Sequence, residues 1–127
     1  MDAAKKESQF VGNAPCQACH LKAFQVWEKS SHANAFATLE KEKKQFDPEC
    51  IVCHTVGFQK QGFLSAQITP QFKNVQCENC HGSAKQHLTN PQEFRPSLMA
   101  NQECVTCHQG SHSPQFKFSK YWPKIAH

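Results

Sequence analysis

The chain has no apolar run approaching the roughly 20 residues needed to cross a bilayer, so the sequence predicts no membrane span. Its start, Met1-Asp2-Ala3-Ala4-Lys5-Lys6, lacks the apolar stretch of a secretory signal. Aliphatic residues are scarce as well. Val, Ile and Leu are few, the hydrophobic share is only 39%, and there are two Met. That scarcity excludes an ordinary aliphatic core for a chain of 127 residues. What is plentiful instead is Phe, with ten, and Cys and His, with eight each.

All eight cysteines fall in four copies of one pattern. Cys16-Gln-Ala-Cys19-His20, Cys50-Ile-Val-Cys53-His54, Cys77-Glu-Asn-Cys80-His81 and Cys104-Val-Thr-Cys107-His108 all read C-x-x-C-H. This is the attachment signature of c-type haem. The two thiols add to the two vinyl groups of the porphyrin, and the adjacent His is set beneath the iron as its proximal ligand. C-x-x-C pairs also serve zinc ribbons, redox dithiols and disulfide frameworks. None of those needs a His directly after the second Cys, and here it follows four times out of four.

Four haems would mean one for roughly every 32 residues. The macrocycles must then be the core, and flat Phe rings pack well against them. The fold expected is mainly α with long loops and little regular β, a multihaem cytochrome c wrapped around four covalently attached haems. Residues 1–13 read as a flexible N-terminal segment and residues 14–127 as one tetrahaem domain. The formal charge of +4 is offset by two propionates on each haem, so it points to no nucleic acid. Lys41-Glu42-Lys43-Lys44 mixes signs, as a solvated helix face does.

Cys16 to Gln45 lacks Pro and Gly and predicts helix, broken at Ser30-Ser31 with Ser31 as a cap. Asp47-Pro48 predicts the start of the helix carrying the second motif. Gly57 to Pro70 predicts a loop or small hairpin, and Pro70 a helix running into the third motif. Asn90-Pro91 and Arg95-Pro96 mark a linker, and Asn101 a cap for the helix of the fourth motif.

Four histidines remain: His32, His87, His112 and His127. Four six-coordinate irons need four distal ligands, so supply equals demand. A distal His must approach the face opposite the proximal one. His87 lies only six residues after His81, and His112 four after His108, so each is expected to serve a neighbouring haem.

The residues Cys16-x-x-Cys19-His20, Phe24, Trp27, Ser30 and His32-Ala-x-Ala35, followed by Cys77-x-x-Cys80-His81-Gly82 and His87, resemble the tetrahaem cytochrome c-554 family of nitrifying bacteria. The resemblance spans residues 10–110 in sparse motifs. It implies stacked and edge-on haem pairs, as in multihaem nitrite reductases and hydroxylamine oxidoreductase. It implies that His32 ligates the third haem and His87 the first. By analogy His112 serves the second and His127 the fourth. The chain is shorter than that family, and Gly82-Ser83-Ala84 replaces its Gly-Pro-Gly. The family's second haem is five-coordinate; here His112 is expected to close it.

These features predict a low-potential, bis-His electron carrier, and no catalytic residue. The expected partners are quinol oxidases, multihaem reductases or outer-membrane conduits. The expected location is periplasmic or extracellular, with an export signal absent from this chain or the chain cut from a longer protein. One alternative is an enzyme with an open iron above His54, acting on nitric oxide, nitrite or hydroxylamine. Another is a subunit of a dimer or filament, with His127 ligating a haem of the next copy.

Overall fold

The computed structural model describes residues 8–95 and 101–127, with the side chains of Asn101, Gln102 and His112 outside that description. It is built from short helices: α1 (Ala14–Cys19), α2 (Leu21–Glu28), α3 (Ala35–Lys41), α4 (Pro48–His54), α5 (Cys77–His81), α6 (Lys85–Thr89), α7 (Asn101–Val105) and α8 (Phe118–Tyr121). Single 3-10 turns stand at Ser31–Asn34, Pro70–Phe72, Gly110–His112 and Trp122–Lys124. Among the described residues the β content is one antiparallel bridge, Thr55 to Lys73. This is the mainly helical, loop-rich fold that the sequence predicts. Helices of this length are not stable alone, so tertiary contacts must hold them.

The protein core is small. Phe36, Leu39, Ile51, Val56, Phe63 and Phe72 form it, with Phe10, Cys50, Phe58 and Ala66 packed against it. It lies where α3, α4 and the loop 56–72 meet. That loop is pinned by Val56 N–H to Phe72 O at 2.9 Å and Phe63 N–H to Val56 O at 2.8 Å. Gly62 is required there, because a Cβ would stand 2.4 Å from the Val56 carbonyl oxygen. Helices α1, α2, α6 and α8 bury no residue in this core.

Local rules explain most helix ends. Asp47 caps α4 by accepting the Glu49 N–H at 2.9 Å, with Pro48 as the first helical residue. The break near Ser30-Ser31 is present, but the cap expected at Ser31 is not. Ser30 occupies that position, and its hydroxyl donates to Trp27 O at 2.7 Å, closing the end of α2. The helix expected from Pro70 into the third motif stops after one turn. Lys73 turns extended and Asn74 adopts φ 80°, which breaks helical continuity. A new helix, α5, then starts at Cys77, where Asn79 Oδ1 accepts the Gln76 N–H at 2.7 Å. The expected cap at Asn101 rests on a side chain outside the described ones.

The segment expected to be loose is held from Ser8 onward. Phe10 packs on the core. The backbone amides of Val11 and Gly12 donate to Glu78, and Asn13 Oδ1 accepts the Cys77 N–H at 2.9 Å. These ties pair with residues more than sixty positions away, so local composition gives no sign of them.

Candidate metal centres

The four C-x-x-C-H histidines sit at or just beyond the ends of short helices. His20 directly follows α1, His54 ends α4 and His81 ends α5. His108 follows α7, where its N–H bonds back to Cys104 O at 2.9 Å. Each thus stands one turn past its first Cys.

Three of them are paired with histidines from outside the motifs. The ring centres of His20 and His87 lie 6.3 Å apart with planes at 22°. Those of His32 and His108 lie 6.2 Å apart at 39°. Those of His81 and His127 lie 6.0 Å apart at 66°. Each pair joins one motif His to one non-motif His. The near-constant separation has a simple metric. An ion between two imidazoles, about 2 Å from each nitrogen and about 3 Å from each ring centre, sets the centres roughly 6 Å apart.

The outward nitrogens are also arranged. His54 Nδ1 lies 2.7 Å from Ala35 O, His87 Nδ1 2.8 Å from Phe94 O and His127 Nδ1 2.7 Å from Ile125 O. A carbonyl only accepts, so Nδ1 carries the proton and Nε2 is left with its lone pair for a metal. His108 Nδ1 meets Ser113 Oγ at 2.9 Å. Phe116 stacks on the His108 ring at 4.9 Å, and Tyr121 meets it edge-on at 5.3 Å. Burial pushes the His32 imidazole below its usual range, helped by the nearby charges of His108 and His54; burial does the same to His108. Both therefore favour the neutral form that ligates.

The pairing differs from expectation in two places. His32 lies beside His108 of the fourth motif, not His81 of the third. His127 lies beside His81, not His108. The reason is that the third and fourth motifs are neighbours, so a side chain reaching this region meets either one. Trp27 Nε1 donates to Val75 O, Val75 N–H to His32 O at 3.1 Å and Phe36 N–H to Asn74 Oδ1 at 2.9 Å. These bonds lay the His32 turn along the strand-like approach to α5. His87 lies beside His20 of the first motif. His112 is carried by the turn Gly110–His112, and its side chain is outside the described ones.

The thiols show which motifs touch. Cys16 and Cys77 share a hydrogen bond, which lowers the thiol of Cys16 and raises that of Cys77. Burial and then the charge of Cys104 push Cys80 up to about 11. Burial and then the charge of Cys53 push Cys107 up to about 12. The first motif thus abuts the third, the third the fourth, and the fourth the second. Among the described residues no three His, Cys, Asp or Glu side chains converge on one point.

Two residues that matter here escaped the sequence reading: Glu78 and Asn79, the variable positions of the third motif. Asn79 Nδ2 donates to Thr55 O at 2.8 Å, tying that motif to the end of the second. Glu78 is buried, with 4% of its surface exposed, and binds three backbone amides. The only signal was chemical: this spacer has two polar side chains able to bond, whereas Gln-Ala, Ile-Val and Val-Thr fill the others.

Four attachment motifs, His rings paired across them and a protein core too small for the chain define a multihaem c-type cytochrome. A family model described as cytochrome c554 and c-prime matches residues 15–82, and the chain belongs to that family. Cytochrome c-554 of Nitrosomonas europaea is 31% identical over 72% of this chain and 47% of its own length. The chain therefore spans about half the length of that curated relative. The solved structure of reduced cytochrome c554 from Nitrosomonas europaea superposes with a TM-score of 0.62, covering 94% of this chain and 79% of that one at 23% identity. That likeness establishes the fold. The cofactor is c-type haem, and four motifs agree with a four-haem count.

Proposed function

We propose that this chain is an electron-transfer cytochrome with three bis-His haems, held by His20 with His87, His32 with His108, and His81 with His127. The observation that carries the reading is the three ring pairs at 6.0–6.3 Å. Bound haem supplies a one-electron ferric/ferrous couple, and two His ligands leave no position for substrate. The protein's part is to fix the ligands. Backbone carbonyls orient His54, His87 and His127, and Phe116 and Tyr121 wedge His108. Without a potential-raising Met, the potentials are expected below zero volts.

The contacts between thiols support an order of exchange along the chain of haems. It runs from the first to the third, then the fourth, then the second. The eight cysteines, Cys16, Cys19, Cys50, Cys53, Cys77, Cys80, Cys104 and Cys107, carry the attachments in this reading. His54 holds the second haem. His112 is its proposed distal ligand, since the other three non-motif histidines have partners and motif four abuts motif two.

The partners in this reading are a quinol oxidase or dehydrogenase on the donor side and a multihaem reductase or outer-membrane conduit on the other. The site of action is the periplasm, where c-type attachment occurs in bacteria. No helix among the described residues is long and apolar enough to cross a membrane. His127 lies beside His81 of its own chain, which supports a ligand role within the chain in this reading.

A second reading keeps one iron open. Among the described side chains, none of the ring pairs includes His54, so that iron is where nitric oxide, nitrite or hydroxylamine would bind. Carbon monoxide added to the reduced protein separates the two. An unchanged Soret band fits four six-coordinate haems. A shift amounting to one haem in four moves the second haem to the enzyme reading and leaves the other three as the wire.

A further inference from the structure

Glu78 lies inside the third motif, yet among the described residues its carboxylate accepts hydrogen bonds from outside that motif. Oε1 accepts the Val11 N–H at 3.0 Å and the Gly12 N–H at 2.9 Å. Oε2 accepts the Val11 N–H at 3.1 Å and the Ala84 N–H at 2.9 Å. All are donors, which suits a carboxylate, a group with acceptors only. Charge-assisted bonds of this kind are about twice as strong as neutral ones, and burial at 4% exposure removes competing water.

The two segments it grips lead to the two ligands of one haem. From Val11-Gly12 the chain passes to Asn13, whose carbonyl accepts the Cys16 N–H at 3.0 Å as α1 begins. Helix α1 ends at Cys19, and His20 follows. From Ala84 the chain enters α6 at Lys85 and reaches His87 within its first turn. Ser83 Oγ adds a second tie across the same gap by donating to Gln9 O. One carboxylate therefore holds the root of His20 and the root of His87.

We infer that Glu78 is a positioning residue for the first haem: a spacer side chain of the third attachment motif clamps the proximal and distal ligands of another haem at their 22° alignment. This rests on the assignment of His20 and His87 to one iron. The advantage is mechanical. His20 and His87 come from segments more than sixty residues apart, and neither anchors the other. A two-oxygen acceptor between them does so. Glutamine cannot replace it, because it offers one acceptor oxygen and turns an N–H₂ towards the remaining amide.

The test is Glu78→Gln in the haem-loaded protein, read by amide hydrogen exchange and by electron paramagnetic resonance of the ferric state. Near-parallel imidazole planes give a rhombic low-spin spectrum, and steeply crossed planes a highly anisotropic one. Exchange at Ala84, or at Val11 and Gly12, should rise roughly ten- to a hundred-fold, the loss of one charge-assisted bond. The rhombic signal should shift towards greater anisotropy while the other low-spin signals hold. If the amides loosen and that signal stays, or if all low-spin signals move together, the inference is overturned.

Should the variant fail to accumulate with haem, the unsubstituted protein still decides. There the amides of Val11, Gly12 and Ala84 should exchange at a common rate, and independent exchange overturns the clamp. His87→Ala separates the two claims. If it leaves the rhombic signal intact, the ligand assignment fails, whatever the amides do.

Discussion

The imidazole of His32 stands 6.2 Å from that of His108, at 39°, so the turn after α2 brings a His beside the last motif of the chain, where the proposed reading makes it a ligand. His127 reaches back to the third. The two assignments predict different losses. His32→Ala should turn one haem high-spin and remove the low-spin signal of intermediate anisotropy. His127→Ala should remove the most anisotropic signal, from the pair at 66°. Swapped outcomes would restore the pairing in which His32 serves the third haem and His127 the fourth.

The small protein core is expected to be indispensable. Phe36 is 1% exposed, packs on Phe63 at 5.4 Å between ring centres, and belongs to the helix that follows the His32 turn. Phe36→Ala should cost about 3–5 kcal/mol. Chemical denaturation of the haem-loaded protein measures it. A cost below about 1 kcal/mol would mean that haem contacts alone hold α3, since even Ile→Val in a core costs that much.

Asn79 links motifs through Thr55 O and starts α5 through the Gln76 N–H. Asn79→Ala leaves two partners unbonded, Thr55 being fully buried, at about 1–3 kcal/mol for each group. Asn79→Asp keeps the acceptor and loses the donor, so it should recover the helix start but not the Thr55 bond. Equal stability for the Ala and Asp variants would contradict this division of roles.

A Cβ added at Gly62 would meet the Val56 carbonyl oxygen at 2.4 Å and the Gly57 α-carbon at 2.8 Å. Gly62→Ala should open the 56–63 turn and lower stability, because the contact it makes is with backbone that has no rotamer to yield. Thermal melts compared with Gly57→Ala make the check informative. At Gly57 an added Cβ meets the Phe10 ring at 2.4 Å, but φ is 67°, so that loss comes from backbone strain as well.

The covalent part of this molecule was legible because it is local. A C-x-x-C-H run fixes two thiols and an imidazole within five residues, and Asp47-Pro48 fixes a helix start within three. The eight ligand candidates were legible by counting. Which motif His32 and His127 meet was not, because it depends on the third and fourth motifs lying together, a contact between distant segments that no spacing encodes. The same holds for Ser8 to Asn13, whose polar composition hides amides bound to Glu78. Glu78 and Asn79 were not legible for another reason: they occupy positions that the attachment chemistry leaves free, so the C-x-x-C-H pattern carries no requirement for them.

Three imidazole pairs at 6.0–6.3 Å carry the proposal that two His bracket each of three irons. Low-temperature electron paramagnetic resonance of the fully oxidised protein tests it most directly, with spins counted per chain. Allowing for coupling between adjacent haems, three low-spin species are expected, graded from rhombic to highly anisotropic in the order His20 with His87, His32 with His108, His81 with His127. A spectrum dominated by high-spin iron at three or four haems would contradict it.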